Sequence, residues 1–282
     1  MIGVFDSGIG GLTVLRALSA RFPQLAFVYL GDHANVPYGN RSSAEIVDLT
    51  RIGVQQLFTR GARVVLLGCN TATAVAARAL QRDWLPHSAW PRGRNILGIV
   101  APTVEAATQT PWAVTSPQYP QKYNTDVIAV FGTLRTIASG VFPEEIGKRC
   151  PRVTVVQQVC AELAGAIEDG AGEAELDRLV GEGVRALIDR NNGVPPHRAI
   201  LGCTHFPIVE PLFAKHLPAS TRLLSQPEIV ADSLDDYLGR HREYVDAAAP
   251  PGVTLLTTGD PAKVDATARV FWPQAPRFQP AG

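Results

Sequence analysis

What the chain lacks removes several classes of function. It has no excess charge, with 26 basic residues against 26 acidic ones, so it exerts no net attraction on nucleic acid or an anionic membrane surface. Aromatic residues make up only 7%, too few to suggest a base-stacking face. No apolar run approaches the roughly 20 residues of a membrane-spanning helix. Met1-Ile2-Gly3-Val4-Phe5 carries neither a basic region nor a cleavable apolar segment. It reads as a first core strand, which predicts a cytoplasmic protein. Cys69, Cys150, Cys160 and Cys203 are too few and too scattered for a disulfide framework. In a reducing compartment they stay thiols.

What is present is enough apolar material, 46% of 282 residues, to bury a large core. At about 150 residues per domain, two domains are expected. Short apolar runs at 2–5, 27–30, 64–67, 96–100, 127–130, 152–157, 199–201, 222–224 and 254–256 read as buried strands. Amphipathic stretches between them, such as 11–21, 43–59 and 173–190, read as helices. This alternation predicts an α/β fold with parallel sheets covered by helices. Ligands of such sheets sit beyond the carboxyl ends of the strands. Two stretches rich in Pro, Trp and Tyr, 83–94 and 110–126, break the rhythm. The longer one is either an exposed insertion with Trp112 and Tyr119 tucked down, or a flap over the site or a subunit contact. The tail 273–282 reads as frayed.

Two segments look like copies of one device. Arg63-Val64-Val65-Leu66-Leu67-Gly68-Cys69-Asn70-Thr71 and Arg198-Ala199-Ile200-Leu201-Gly202-Cys203-Thr204-His205 each run an apolar strand into Gly-Cys and then into small polar residues. Two thiols on matching strand ends suit a reaction with two equivalent bases, such as inversion of a carbon bearing an acidic hydrogen. A thiol ahead of a helix N-terminus is expected to have its pKa lowered from about 8.5 toward neutrality. Either cysteine alone would read as inert packing; the duplication changes that. Cys150 and Cys160 lack the context and read as structural. His205 could shuttle a proton or be a satisfied core histidine. Zinc is a rival for Cys-x-His, without the usual C-x₂₋₄-C pairing, and a redox pair would more often be C-x-x-C. Asn70, Thr71 and Thr204 suit the carboxylate and amine of an amino acid.

Two further segments end strands. Asp6-Ser7-Gly8-Ile9-Gly10-Gly11 could cradle an anion, but it matches neither nucleotide-loop pattern, and Asp6 would repel phosphate. Asp6 suits an ammonium group, a neighbour's protonation or a helix cap. Pro37-Tyr38-Gly39 is a turn whose backbone could bind a carboxylate, and Asp32 just before it reads as a turn or cap residue.

DSGIGGLTVL, GD-x-A-x-VPYG, GCNTATA and GCTHFP, in this order, closely resemble the glutamate racemases of bacterial cell-wall synthesis. The resemblance spans most of the chain. It implies cofactor-independent, metal-free interconversion of L- and D-glutamate by two cysteines, in a crevice between two similar α/β domains that each supply one. The corresponding division is 1–97 plus 208–282, carrying Cys69, and 98–207, carrying Cys203. By the same resemblance Cys69 is the base for the D-enantiomer and Cys203 for the L-enantiomer. Asp6, His205 and Glu168 are auxiliary catalytic residues. Asp6, Ser7, Pro37, Tyr38, Gly39, Asn70, Thr71, Thr133, Thr136, Thr204 and His205 form the substrate-binding set. Glutamate would be the partner, with no nucleic acid or membrane, and the assembly a homodimer. The chain departs from the family at His33 and Asn35, in the insertion at 110–126, and after Cys160, where two prolines are missing. A racemase for aspartate or another acidic amino acid, and a catalytically silent amino-acid binder, are the alternatives.

Overall fold

The apolar runs become two all-parallel sheets in the computed structural model, which describes residues 1–90, 92–123, 125–245 and 249–282. The first sheet holds β1 (Ile2–Asp6), β2 (Ala26–Gly31), β3 (Val64–Leu67) and β4 (Asn95–Gly98). The second holds β5 (Val127–Gly132), β6 (Thr154–Val159), β7 (Arg198–Gly202) and β8 (Arg222–Leu224); β9 (Gly252–Thr257) and β10 (Phe278–Pro280) then rejoin the first. The strand orders are β10-β9-β2-β1-β3-β4 and β6-β5-β7-β8. Helices cover both faces, so β1, β2, β3, β5 and β7 are buried throughout and read as continuous apolar runs rather than alternating ones.

The helices are α1 (Leu12–Arg21), α2 (Ser43–Thr59), α3 (Asn70–Ala79), α4 (Val100–Thr108), α5 (Leu134–Ala138), α6 (Val141–Arg149), α7 (Leu163–Glu168), α8 (Glu173–Arg190), α9 (Glu210–His216), α10 (Gln226–Arg240) and α11 (Pro261–Phe271). Their starts follow local chemistry. Ser42 and Glu45 form a reciprocal capping box at α2, and the Asp260 side chain accepts from Ala262 N at α11. Helix α4 carries the chain from the first sheet to the second, and α10 carries it back. No helix among the described residues is long and apolar enough to cross a membrane.

Three expectations are corrected. The division at residue 207 would leave β8 with the first domain, but Arg198, Ala199 and Ile200 of β7 pair with Arg222, Leu223 and Leu224, so β8 belongs to the second sheet. The tail is not frayed. β10 adds to β9 in parallel, and buried Phe278 packs edge-on against Tyr29 at 6.0 Å and His33 at 5.6 Å. None of the described residues of the insertion at 110–126 lines the cavity at the strand ends, and Trp112 and Tyr119 are not tucked down as the first reading had them. Instead Arg149 stacks on the Trp112 ring at 4.5 Å and donates to its carbonyl at 2.6 Å, while Arg198 stacks on Tyr123 at 3.6 Å. Trp112 nonetheless stays 36% exposed, and Tyr119 is 71% exposed. Pro91 and Asn124, within the two irregular stretches, lie outside the described residues.

Because Phe278 fills the space between Tyr29 and His33, Phe278→Ala is expected to lower stability by about 3 kcal/mol. Urea unfolding checks this. A midpoint equal to that of the unaltered chain would show that the tail contributes nothing to the core.

Candidate active site

Register places the reactive side chains. Phe5 pairs with Leu67 and Asp6 with Gly31, so Asp6, the Cys69 segment and the Asp32–Gly39 turn emerge together. In the second sheet Gly132 pairs with Gly202, which sets Thr133 and Cys203 side by side one residue later. The two sets of strand ends face a shared cavity of about 460 Å³. Both Cys69 and Cys203 line it, as do Asp6, Ser7, Glu168 and His205. Pro37, Tyr38, Gly39, Asn70, Thr71, Thr133 and Thr204 complete the expected set at its wall.

Thr136 is the exception. It is 0% exposed and stands behind the wall, where its hydroxyl takes a hydrogen bond from Thr133 at 3.0 Å and lies 3.2 Å from that of Thr71. It supports the two lining threonines rather than lining the cavity. Tyr38 does line the wall, but its hydroxyl is engaged elsewhere. Its hydroxyl donates to Asp32 at 2.7 Å, and Asp32 also takes bonds from Thr258 at 2.8 Å and Asn35 at 3.0 Å. Asp32 is therefore the buried post of this turn, and Tyr38 and Gly39 have backbone N–H groups to offer. Residues outside the expected set also line the cavity: Gly8, Val36, Asn40 and Leu134, with Ala161, Ala164 and Gly165 before Glu168. The first four are chain neighbours of residues in that set. The last three are small and apolar, with nothing in their chemistry to distinguish them.

The glycine-rich loop also finds its reason here. A Cβ on Gly10 would come within 2.5 Å of Thr204 Oγ1 and His205 Nδ1, so glycine lets the first domain's loop touch the second domain. The Thr13 hydroxyl reaches across the same contact to Thr204 O at 2.9 Å. Asp6 does not cap the following helix; its Oδ1 accepts from Gly8 N at 2.7 Å, and its buried Oδ2 has no partner among the described residues. Burial pushes its carboxyl up to about 6, against the pull of the Gly8 N–H and of His205.

The two thiols sit in opposite electrostatic settings. Cys69 caps α3, its Sγ accepting from Ala72 N at 3.4 Å and lying 3.3 Å from Ser7 Oγ. Its pKa is nevertheless raised, not lowered as the helix position suggests. Burial, and after it the charge of Asp6, pushes the thiol up to about 12, outweighing the Ser7 and Ala72 donors. Cys203 Sγ lies 3.5 Å from His205 Nδ1, and His205 Nε2 lies 2.5 Å from Glu168 Oε1. Burial alone would lower His205, but Cys203 and Glu168 outweigh it and hold the imidazole at about 10. Burial likewise works to raise Glu168, yet the bond to His205 keeps it below its usual range. At neutral pH His205 is an imidazolium held between the Glu168 carboxylate and the Cys203 sulfur. Cys69 keeps its proton.

Neither Lys nor Arg is among the cavity's described lining residues. Anionic groups of a ligand must be met by hydroxyl and amide donors and by the N-termini of α3 and α5. Among the described residues no group of three His, Cys, Asp or Glu is placed to hold a metal ion, and both ring nitrogens of His205 are engaged. All four cysteines are free.

His205 should therefore titrate near pH 10 by ring NMR, and Glu168→Gln should bring it down toward 6.5. Because its folded value lies above the ordinary one, its contribution to stability is complete below about pH 6.5 and lost as pH rises through 10. Titration of His205 at its ordinary value in the unaltered chain would contradict the charged line.

No protein-family model matches the chain. Among characterised proteins it is 48% identical to the glutamate racemase of Caulobacter sp. (strain K31) and 47% identical to that of Phenylobacterium zucineum (strain HLK1), each alignment covering 99% of both chains. Among solved structures, glutamate racemase isoform RacE1 from Bacillus anthracis superposes with a TM-score of 0.83 at 25% identity, covering 99% of this chain and 96% of that one. The Francisella tularensis glutamate racemase in complex with D-glutamate shares the fold, with a TM-score of 0.81 at 24% identity over 99% of this chain and 95% of that one. Near-full-length identity of this degree, over a crevice with a cysteine from each sheet, means that the chain belongs to the glutamate racemase family.

Proposed function

We propose that the cavity interconverts L- and D-glutamate by a cofactor-independent two-base proton transfer between Cys69 and Cys203. The observation that carries this reading is the pair of thiols, one from each sheet, bordering a single cavity, Cys69 near Asp6 and Cys203 beside His205. Inversion of a stereocentre needs one base and one acid on opposite faces, and two thiols can fill both roles.

With L-glutamate bound, the Cys203 thiolate takes the α-proton: the Cα–H bond breaks and an S–H bond forms. The Cys69 S–H then breaks as its proton reaches the other face of Cα, giving D-glutamate. The sulfurs have exchanged roles, and the reverse reaction runs through the same steps. At each stage of the turnover one sulfur holds the proton that the other lacks. His205 and Glu168 hold the charge at Cys203, and Asp6 favours the protonated form of Cys69.

General-base help of about 10²–10⁴-fold is too little for so weak a carbon acid. The remainder must come from donors fixed around the carboxylate and from exclusion of water. Ser7, Asn70, Thr71 and Thr204 provide such donors, and the Tyr38 and Gly39 N–H groups lie within the same wall. The reaction belongs in the cytoplasm, where D-glutamate supplies peptidoglycan synthesis, and the working assembly is a homodimer.

Circular dichroism on both enantiomers tests the assignment. Cys69→Ser and Cys203→Ser should each reduce racemisation by about 10³-fold or more. Elimination from a glutamate analogue bearing a leaving group should persist in one direction only in each variant. Full activity in either variant would end the two-base reading. Faster turnover of aspartate than of glutamate by the unaltered chain would move the substrate assignment.

A further inference from the structure

The orientation of Asn70 is dictated by residues that do not themselves line the cavity. Its carboxamide forms a reciprocal pair with Gln226: Asn70 Nδ2 donates to Gln226 Oε1 at 2.6 Å, and Gln226 Nε2 donates to Asn70 Oδ1 at 3.0 Å. Gln226 is 0% exposed and is the first residue of α10. A pair of this kind would satisfy itself equally well with both amides reversed.

Thr103 removes that freedom. Its hydroxyl donates its single proton to the Ile99 carbonyl at 2.7 Å, so toward Gln226, 2.9 Å away, it can only accept. Gln226 must present Nε2 to it, which uses one N–H on Thr103 and the other on Asn70. Gln226 Oε1 is left to take one N–H of Asn70. The donor Asn70 retains for the cavity is its second Nδ2–H. Thr103 lies on α4 and Gln226 on α10, the two helices that carry the chain between the sheets.

We propose that Thr103 and Gln226 are positioning residues for racemisation, fixing Asn70 as a hydrogen-bond donor to a carboxylate of the bound amino acid and tying that donor to both crossings between the domains. The inference rests on the racemase reading, which supplies the carboxylate. Without the Thr103 hydroxyl the amide pair is free to reverse. Asn70 would then turn an oxygen lone pair toward an anionic substrate.

Initial rates in both directions test it. Thr103→Val and Gln226→Leu are expected to raise KM for glutamate about tenfold in each direction, with kcat changed by less than about threefold, the signature of lost uniform binding. Thr103→Ser, which keeps the hydroxyl, should restore the original KM. In an Asn70→Ala background Thr103→Val should add nothing further to KM. A merely structural pair would lower Tm and leave KM in place. Unchanged KM in Thr103→Val would overturn the proposal, including where Gln226→Leu fails to fold. No turnover of glutamate by the unaltered chain would instead sink the racemase reading, and this inference with it.

Discussion

A charged His205, held between Cys203 and Glu168, is the interaction on which the electrostatics of the second thiol depend. With that imidazolium in place Cys203 has a partner for negative charge, while Cys69, buried beside Asp6, holds its proton. Two like residues thereby sit beside unlike charges, an imidazolium at Cys203 and a carboxyl at Cys69. The asymmetry comes from neighbours, since the two Gly-Cys segments are nearly the same.

The sheets make this possible by geometry alone. Both are parallel, so all their carboxyl ends point one way, and a crevice between two such edges collects loops from both domains. Chain crossings through α4 and α10 keep the halves together. The Gly10 contact with Thr204 and His205 brings the first domain's loop against the second cysteine's segment. With no Lys or Arg among its described lining residues, the cavity meets anionic groups through fixed dipoles. These demand close-fitting positions, and the Thr103–Gln226–Asn70 chain shows how far that positioning extends into the core.

Much of this architecture is legible in the amino-acid sequence. Strands buried on both faces announce themselves as apolar runs, and the bounds of α2 and α8 match their amphipathic stretches at 43–59 and 173–190. The paired Gly-Cys segments name both thiols. What is not legible depends on distant neighbours. A helix N-terminus argues for an acidic Cys69, but its burial and its approach to Asp6 are tertiary facts, and they prevail. β10 escapes notice because its Pro-rich tail has only Ala275, Phe278 and Ala281 as buried anchors. Thr136 lies three residues after Thr133, yet one turn of helix puts it behind the wall. Gln226 resembles any polar residue at a helix start, and its partners lie 156 and 123 residues away.

The central claim is that two separate sulfurs handle the two faces of one carbon, and label from heavy water tests it most directly. L-glutamate would be converted for less than a tenth of the way to equilibrium, and both enantiomers examined for deuterium at Cα. The expected result is deuterium in the D-glutamate formed, delivered by an exchanged Cys69, with the recovered L-glutamate unlabelled because Cys203 returns the proton it took. Equal labelling of both enantiomers from the first turnovers, as a single exchanging base would give, would contradict the account.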